Sequence, residues 1–230
     1  MASRPRRLLA ELLGTLLLAA VVVGSGIAAQ NLSPGQVGLE LAENAVATSL
    51  GLGVIILVLA PISGAHLNPV ISLVDSLLGR RSWIDAVTYI PTQIVGCIAG
   101  SILANAMFGH AAIGISTTDR SSTGHFIGEI VATAGLVLIV FLLARQGLER
   151  FAPIAVGAYI GAAYFFTSST SFANPAITIG RIFTDSFAGI AANCVPGFVS
   201  AQLIGGAIGY VLVRLLTTTP PTATTEGSGT

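Results

Sequence analysis

Six long apolar runs dominate the sequence and leave little room for a fold in water. They cover residues 8–29, 45–62, 86–108, 126–144, 151–166 and 195–213. Two of the runs contain one charged residue each, Glu11 and Glu129, and the other four contain none. Only 9% of the 230 residues are charged, whereas a typical soluble domain has about 25%. Because a membrane-spanning helix needs about 20 apolar residues, we predict an all-α membrane protein with six transmembrane helices.

The arginines predict how the chain is oriented in the membrane. Arg4, Arg6 and Arg7 before the first run are also typical of a secretory signal peptide, but that run is long and contains Glu11. With a cytoplasmic N-terminus, Arg120 and Arg181 alone of the ten arginines face outward. We therefore expect a multi-pass protein of the cell (inner) membrane with both termini in the cytoplasm.

Two further apolar segments, 66–79 and 174–188, are too short to span a bilayer. Each contains Asn-Pro near its start, at 68–69 and at 174–175. Asn caps a helix N-terminus, and Pro suits the first helical position. We predict two re-entrant half-helices.

The two halves of the chain match each other. Glu-Leu-Leu-Gly-Thr at 11–15 matches Glu-Ile-Val-Ala-Thr at 129–133, the Asn-Pro pairs match, and Gln93 matches Gln202. We predict one domain over 1–216, with repeat 1 at about 8–108 and repeat 2 at about 126–216, followed by a disordered C-terminal tail at 217–230. Three spans per repeat make the second copy enter the membrane upside down.

An inverted repeat brings the half-helices in from opposite faces, so that their N-termini meet near the midplane. Irregular backbone at this depth must be buried in protein or line a wet cavity. We predict a water-filled path, with the amide donors of Asn68 and Asn174 facing it. Such a path favours solutes that accept hydrogen bonds and repels cations and protons.

Two motifs carry a family resemblance. Ser-Gly-Ala-His-Leu-Asn-Pro-Val at 63–70 and Phe-Ala-Asn-Pro-Ala at 172–176 resemble the two signature loops of the aquaporin, or major intrinsic protein, family. The resemblance covers about residues 8–216. It implies one pore per monomer, a homotetramer, no cofactor, and anchoring of the two loops by Glu11 and Glu129. The implied pore motifs are Asn68, Pro69, Val70, Asn174, Pro175 and Ala176.

The sequence departs from the family at the outer constriction, where Ile177 replaces the usual Arg after the second motif. Counted by family spacing, the constriction is Thr48, Ala162, Ser171 and Ile177. This set resembles that of bacterial aquaglyceroporin-like proteins associated with arsenic resistance. It implies a wide, uncharged constriction that passes water, glycerol-like polyols and metalloid hydroxides such as arsenite.

Three polar residues near the motifs have two interpretations each. His66 either lines the inner pore or packs within its loop. Arg181 either replaces the missing arginine or pairs with Asp185 one turn later. Asp75 is expected to pair with Arg80 or Arg81.

Other functions are disfavoured by what the sequence lacks. Ten acidic and ten basic residues cancel, so nucleic-acid binding is not expected. The histidines and cysteines are too scattered for a metal site, and no catalytic grouping suggests an enzyme. The expected partners are small neutral solutes, water and the lipid bilayer. Three alternatives remain: a water channel with an unusual filter, a secondary transporter, and a poorly conducting structural membrane protein.

Overall fold

A computed structural model describes residues 2–217, and every regular element in that range is helical. The eight α-helices are α1 (Arg4–Leu32), α2 (Val37–Ser63), α3 (Pro69–Leu77), α4 (Trp83–Met107), α5 (Thr123–Arg145), α6 (Ala152–Phe166), α7 (Pro175–Gly180) and α8 (Val195–Thr217). The predicted tail, 217–230, lies outside the described residues except for Thr217. Its disorder and the division into repeats stay predictions.

The predicted fold class, an all-α membrane protein, is confirmed. Within residues 2–217, five helices are long and apolar enough to cross a membrane: α1, α2, α4, α5 and the segment Ala192–Thr217, which contains α8. The helix at the remaining predicted span, α6, has 15 residues and a 3₁₀ helix, Glu149–Phe151, directly before it. Fifteen helical residues rise about 22 Å. The helix α6 is therefore the shortest of the helices at the six predicted spans.

The two half-helices differ in length. The first, α3, fills most of the predicted segment 66–79. The second, α7, has only six residues and is followed by a 3₁₀ helix, Arg181–Phe183. The half-helix predicted within 174–188 is therefore shorter than this segment, and its helical part ends at residue 183.

Backbone carbonyl groups at the end of this segment accept hydrogen bonds from other parts of the chain. The Ile182 carbonyl accepts a hydrogen bond from the Ser116 amide at 2.8 Å. The Phe183 carbonyl accepts one from the Asn105 side-chain amide, also at 2.8 Å. Because these bonds replace those of a longer helix, the chain turns back after Phe183.

The helices pack as two linked groups around the half-helices. α1 packs against α2 and α4, α5 packs against α6 and α8, and α2 packs against α6. Each half-helix contacts both groups, since α3 packs on α4 and α8, and α7 packs on the same two helices. The close approach of α1 and α4 depends on Gly100, where a Cβ would collide with the backbone carbonyl of Leu16.

We predict that Gly100→Ala destabilises the fold by about 1–3 kcal/mol, because the added methyl group forces α1 and α4 apart. The measurement is the thermal unfolding midpoint in detergent. Gly38→Ala is the matched control, since a Cβ at Gly38 meets no atom within 4 Å. Equal midpoints for the two variants would contradict this account of the α1–α4 contact.

Candidate functional site

Asn68 and Asn174 cap the two half-helices, as the sequence suggested. The Asn68 side-chain oxygen accepts a hydrogen bond from the Val70 amide at 2.9 Å. The Asn174 side-chain oxygen accepts one from the Ala176 amide at 3.0 Å. Pro69 and Pro175 occupy the first helical positions, where no backbone donor is needed.

The same two asparagines also tie the loops together crosswise. The Asn68 side-chain nitrogen donates to the Ala173 carbonyl at 2.7 Å. The Asn174 side-chain nitrogen donates to the Leu67 carbonyl at 2.8 Å. An amide nitrogen carries two N–H groups, so each side chain keeps one donor that these bonds do not use. The crossed bonds therefore fix the two half-helix N-termini against each other.

Glu11 anchors the loop before α3. Its side chain is fully buried, and its carboxylate accepts hydrogen bonds from the His66 amide at 3.0 Å and the Leu67 amide at 2.7 Å. The Ser63 hydroxyl at 2.6 Å and the Gln93 side-chain amide at 2.8 Å donate to it as well. Four donors surround a carboxylate that would otherwise be costly to bury.

Glu129 holds the loop before α7 in the same way. It is fully buried and accepts from the amides of Phe172 and Ala173, both at 2.8 Å, and from the Gln202 side chain at 2.6 Å. Gln93 and Gln202 were identified only as a match between the repeats. The structure shows that each donates to a loop-anchoring glutamate.

Both loops adopt a backbone conformation that side chains disfavour. Leu67 and Ala173, directly before the capping asparagines, have φ of 54° and 47°. Each such residue costs about 1 kcal/mol or more. The hydrogen bonds from their amides to Glu11 and Glu129 hold them there, and their carbonyls are left to accept from the opposite asparagine.

One cavity of about 380 Å³ passes the point where the asparagines meet, and Asn68 and Asn174 both line it. Many of its other lining side chains are apolar, among them Leu18, Val22, Leu52, Ile56, Leu136 and Val140. Two further groups, each made mostly of polar residues, also line it. We call them the Arg181 end (Thr48, Tyr164, Ser171, Ile177 and Arg181) and the Asp75 end (His66, Asp75, Arg80, Arg81 and Glu149).

The Arg181 end contains three of the four predicted constriction residues. Thr48, Ser171 and Ile177 line the cavity, whereas Ala162 is exposed on the outside of α6. Tyr164 takes the place expected for Ala162, and its hydroxyl lies 3.1 Å from that of Thr48. The count by family spacing was therefore wrong at this position, because α6 turns Ala162 away from the cavity.

Arg181 lines the cavity and does not pair with Asp185. Asp185 instead accepts from the Thr117 amide at 3.1 Å. The Arg181 side chain is buried, donates to the Ala188 carbonyl, and lies over the Phe172 ring at 3.4 Å from its centroid. No ion pair of Arg181 occurs within residues 2–217. Of the two interpretations of Arg181, the structure thus supports the one that places it at the cavity.

His66 lines the Asp75 end. Its Nε2 lies 3.1 Å from a carboxylate oxygen of Asp75, and its Nδ1 lies 3.0 Å from the Ser72 hydroxyl. Asp75 contacts both Arg80 and Arg81, which the sequence offered as alternatives. Of the two interpretations of His66, the structure thus supports the one that places it at the cavity.

Known proteins match this chain over most of its length. A family model described as "Major intrinsic protein" matches residues 2–173. Aquaglyceroporin AqpS of Rhizobium meliloti (strain 1021) is 44% identical over 92% of this chain and 90% of its own. The probable aquaporin NIP7-1 of Arabidopsis thaliana is 30% identical over 91% of this chain and 76% of its own.

A solved structure shows the same fold. The aquaglyceroporin from Plasmodium falciparum superposes with a TM-score of 0.68 at 22% sequence identity. The match covers 93% of this chain and 95% of that one. The helices described above are therefore arranged in the same fold as in that aquaglyceroporin.

We predict that Glu129→Gln lowers stability by about 1.5–3 kcal/mol, the range for hydrogen bonds to a charged group. An amide offers one acceptor oxygen, so either the Phe172 amide loses its acceptor or the Ala173 amide and the Gln202 side chain both lose theirs. The measurement is the unfolding midpoint in detergent, with Glu149→Gln as the matched control because the Glu149 side chain is 57% exposed. A midpoint shift no larger than that of the control would contradict the anchoring role.

Proposed function

Because the chain belongs to the major intrinsic protein family, we propose that it is a passive membrane channel for small uncharged solutes. The proposed solutes are water, glycerol-like polyols and metalloid hydroxides such as arsenite, and the proposed path is the cavity in each monomer. The name of the 44% identical relative, an aquaglyceroporin, supports polyols as solutes.

One observation carries this proposal: a single cavity is lined by both capping asparagines and by the two polar ends. A solute that loses its water needs replacement hydrogen bonds along its path. The unused N–H donors of Asn68 and Asn174 can supply them, and the apolar lining can contact the carbon skeleton of a polyol. A small neutral molecule with hydroxyl groups fits both surfaces.

The Arg181 end is the proposed selectivity constriction. Thr48 and Tyr164 contribute hydroxyls, Ile177 contributes an apolar surface, and Arg181 contributes a buried charge. The Ser171 hydroxyl is buried and has no hydrogen-bond partner among the described residues. It is free to bond a solute hydroxyl there. Arg181 adds to the repulsion of cations, including hydronium.

A second candidate function is a channel for water alone. Tyr164 and Arg181 are large side chains, and the constriction expected from the sequence held only small or aliphatic ones. If they leave space for water but not for a carbon chain, polyols are excluded. This candidate differs from the first in one property, the ratio of glycerol to water permeability.

We also propose that the protein is a homotetramer in the cell (inner) membrane with cytoplasmic termini. The family supports the tetramer. Apolar side chains exposed on the outside of the helices, such as Leu13, Val54 and Leu57, suit contact with lipid or with another copy. The predominance of arginines on one side of the predicted topology supports the orientation.

Stopped-flow light scattering of proteoliposomes tests the proposal with gradients of glycerol, arsenous acid and an impermeant osmolyte. We expect glycerol and arsenous acid to enter much faster than into protein-free liposomes. Water flux without glycerol flux would favour the second candidate. No flux of any solute would overturn both.

We predict that Ile177→Arg reduces glycerol permeability by about tenfold and water permeability by much less, because the larger side chain narrows the Arg181 end. Ile177→Leu is the matched control, since it conserves side-chain volume. The measurement is the permeability of each variant to both solutes in proteoliposomes. An equal fall for both solutes, or no change, would contradict the assignment of Ile177 to the constriction.

A further inference from the structure

We propose that Asp75 determines the charge selectivity of the cavity by excluding anions at the Asp75 end. This inference rests on the proposed function, because it takes the cavity to be the permeation path. A cavity with many positive groups repels cations but attracts anions. Its selectivity for neutral solutes therefore needs a negative group near the path.

The charges that line the cavity are unbalanced. The basic lining residues are His66, Arg80, Arg81 and Arg181. Asp75 and Glu149 are the only acids among the described residues that line it. The unused amide donors of Asn68 and Asn174 add further positive partial charge near the middle. Without the carboxylates, every charged group along the cavity would favour an anion.

Asp75 lies at the centre of the compensating cluster. One of its carboxylate oxygens is 3.1 Å from Arg80 Nε. The other is 3.1 Å from His66 Nε2 and 3.5 Å from Arg81 Nε. The Asp75 side chain is 9% exposed, so water screens its charge little. One buried carboxylate thus faces three basic groups at the same end of the cavity.

His66 places this charge beside the path. Its Nε2 can only donate to the Asp75 carboxylate, since an ionised carboxylate has no proton to give. The His66 side chain is 6% exposed and its Nδ1 contacts the Ser72 hydroxyl, so the ring is fixed at both nitrogens. Removing the Asp75 charge would leave the two guanidinium groups beside it without the buried negative charge that balances them.

Glu149 is a weaker contributor to the same field. Its carboxylate lies 3.3 Å from Arg80 Nη2, but its side chain is 57% exposed. Exposed charges are screened by water and salt, so its effect on an anion inside the cavity is smaller. We therefore expect neutralising Glu149 to change anion entry less than neutralising Asp75 does.

A purely structural role of Asp75 makes a different prediction. In that case the carboxylate would only hold Arg80 and Arg81 in the turn after α3, and its loss would change the fluxes of all solutes together. Anion exclusion instead predicts a change in the ratio of anion to glycerol permeability. This ratio also separates the inference from the proposed function, which the glycerol flux of the unmodified protein tests alone.

The experiment compares potassium nitrate and glycerol entry into proteoliposomes, with valinomycin present so that potassium follows the anion. We expect Asp75→Asn to raise the nitrate-to-glycerol ratio by about tenfold. The double variant Asp75→Asn/Arg80→Gln restores the net charge of the cluster, and we expect it to return the ratio towards that of the unmodified protein. Glu149→Gln is expected to raise the ratio by less than Asp75→Asn does.

An unchanged ratio in Asp75→Asn would overturn the proposal, and so would a ratio that stays raised in the double variant. An equal rise in Glu149→Gln would also overturn it, because the ratio would then depend on the net charge of the whole end and not on Asp75. If Asp75→Asn is not incorporated into vesicles, Glu149→Lys adds positive charge at the same end from an exposed position. Nitrate flux in that variant at the level of the unmodified protein would equally overturn the proposal.

Discussion

Two buried carboxylates, Glu11 and Glu129, hold the irregular backbone on which the rest of the structure depends. Backbone groups at membrane depth have no water to bond, so a non-helical loop there needs protein partners. Each glutamate accepts a hydrogen bond from the backbone amide of the residue directly before a capping asparagine, Leu67 in one loop and Ala173 in the other. The backbone carbonyls of Leu67 and Ala173 then accept hydrogen bonds from the asparagine side chain of the opposite loop. The cavity passes this crossing, so its position follows from the two anchors.

The two ends of the cavity carry different charge arrangements. At one end the buried guanidinium of Arg181 has no ion pair within residues 2–217 and is held by a carbonyl and an aromatic face. At the other end Asp75 is shared by several basic groups. Positive groups repel cations, and a carboxylate repels anions. A path that meets both in sequence favours molecules without charge, and this agrees with the proposed function.

Regular periodicity and repeated motifs made much of the fold predictable from the sequence. The apolar runs predicted the long helices. The matching Glu, Asn and Gln residues of the two repeats indicated the two loops, their capping asparagines and their anchoring glutamates. Positions that depend on irregular backbone were harder. Ala162 was found by counting residues back from Asn174, across a loop in which Thr170 and Ser171 have positive φ. Such irregular backbone has no regular spacing of side chains, so a residue count does not predict which side chain faces the cavity. The direction in which the Arg181 side chain points depends on where α7 ends. That end point depends on contacts with parts of the chain that are distant in sequence.

We propose that solutes cross the membrane through the cavity where the two half-helices meet. Chemical blocking of that cavity tests it most directly, using Ile177→Cys treated with benzyl methanethiosulfonate, whose adduct is much larger than the isoleucine side chain. Both native cysteines, Cys97 and Cys194, are buried, so the unmodified protein serves as the unreactive control. We expect the reagent to abolish glycerol flux through proteoliposomes of the variant and to leave that of the unmodified protein unchanged. Complete labelling of the variant with no loss of flux would contradict it.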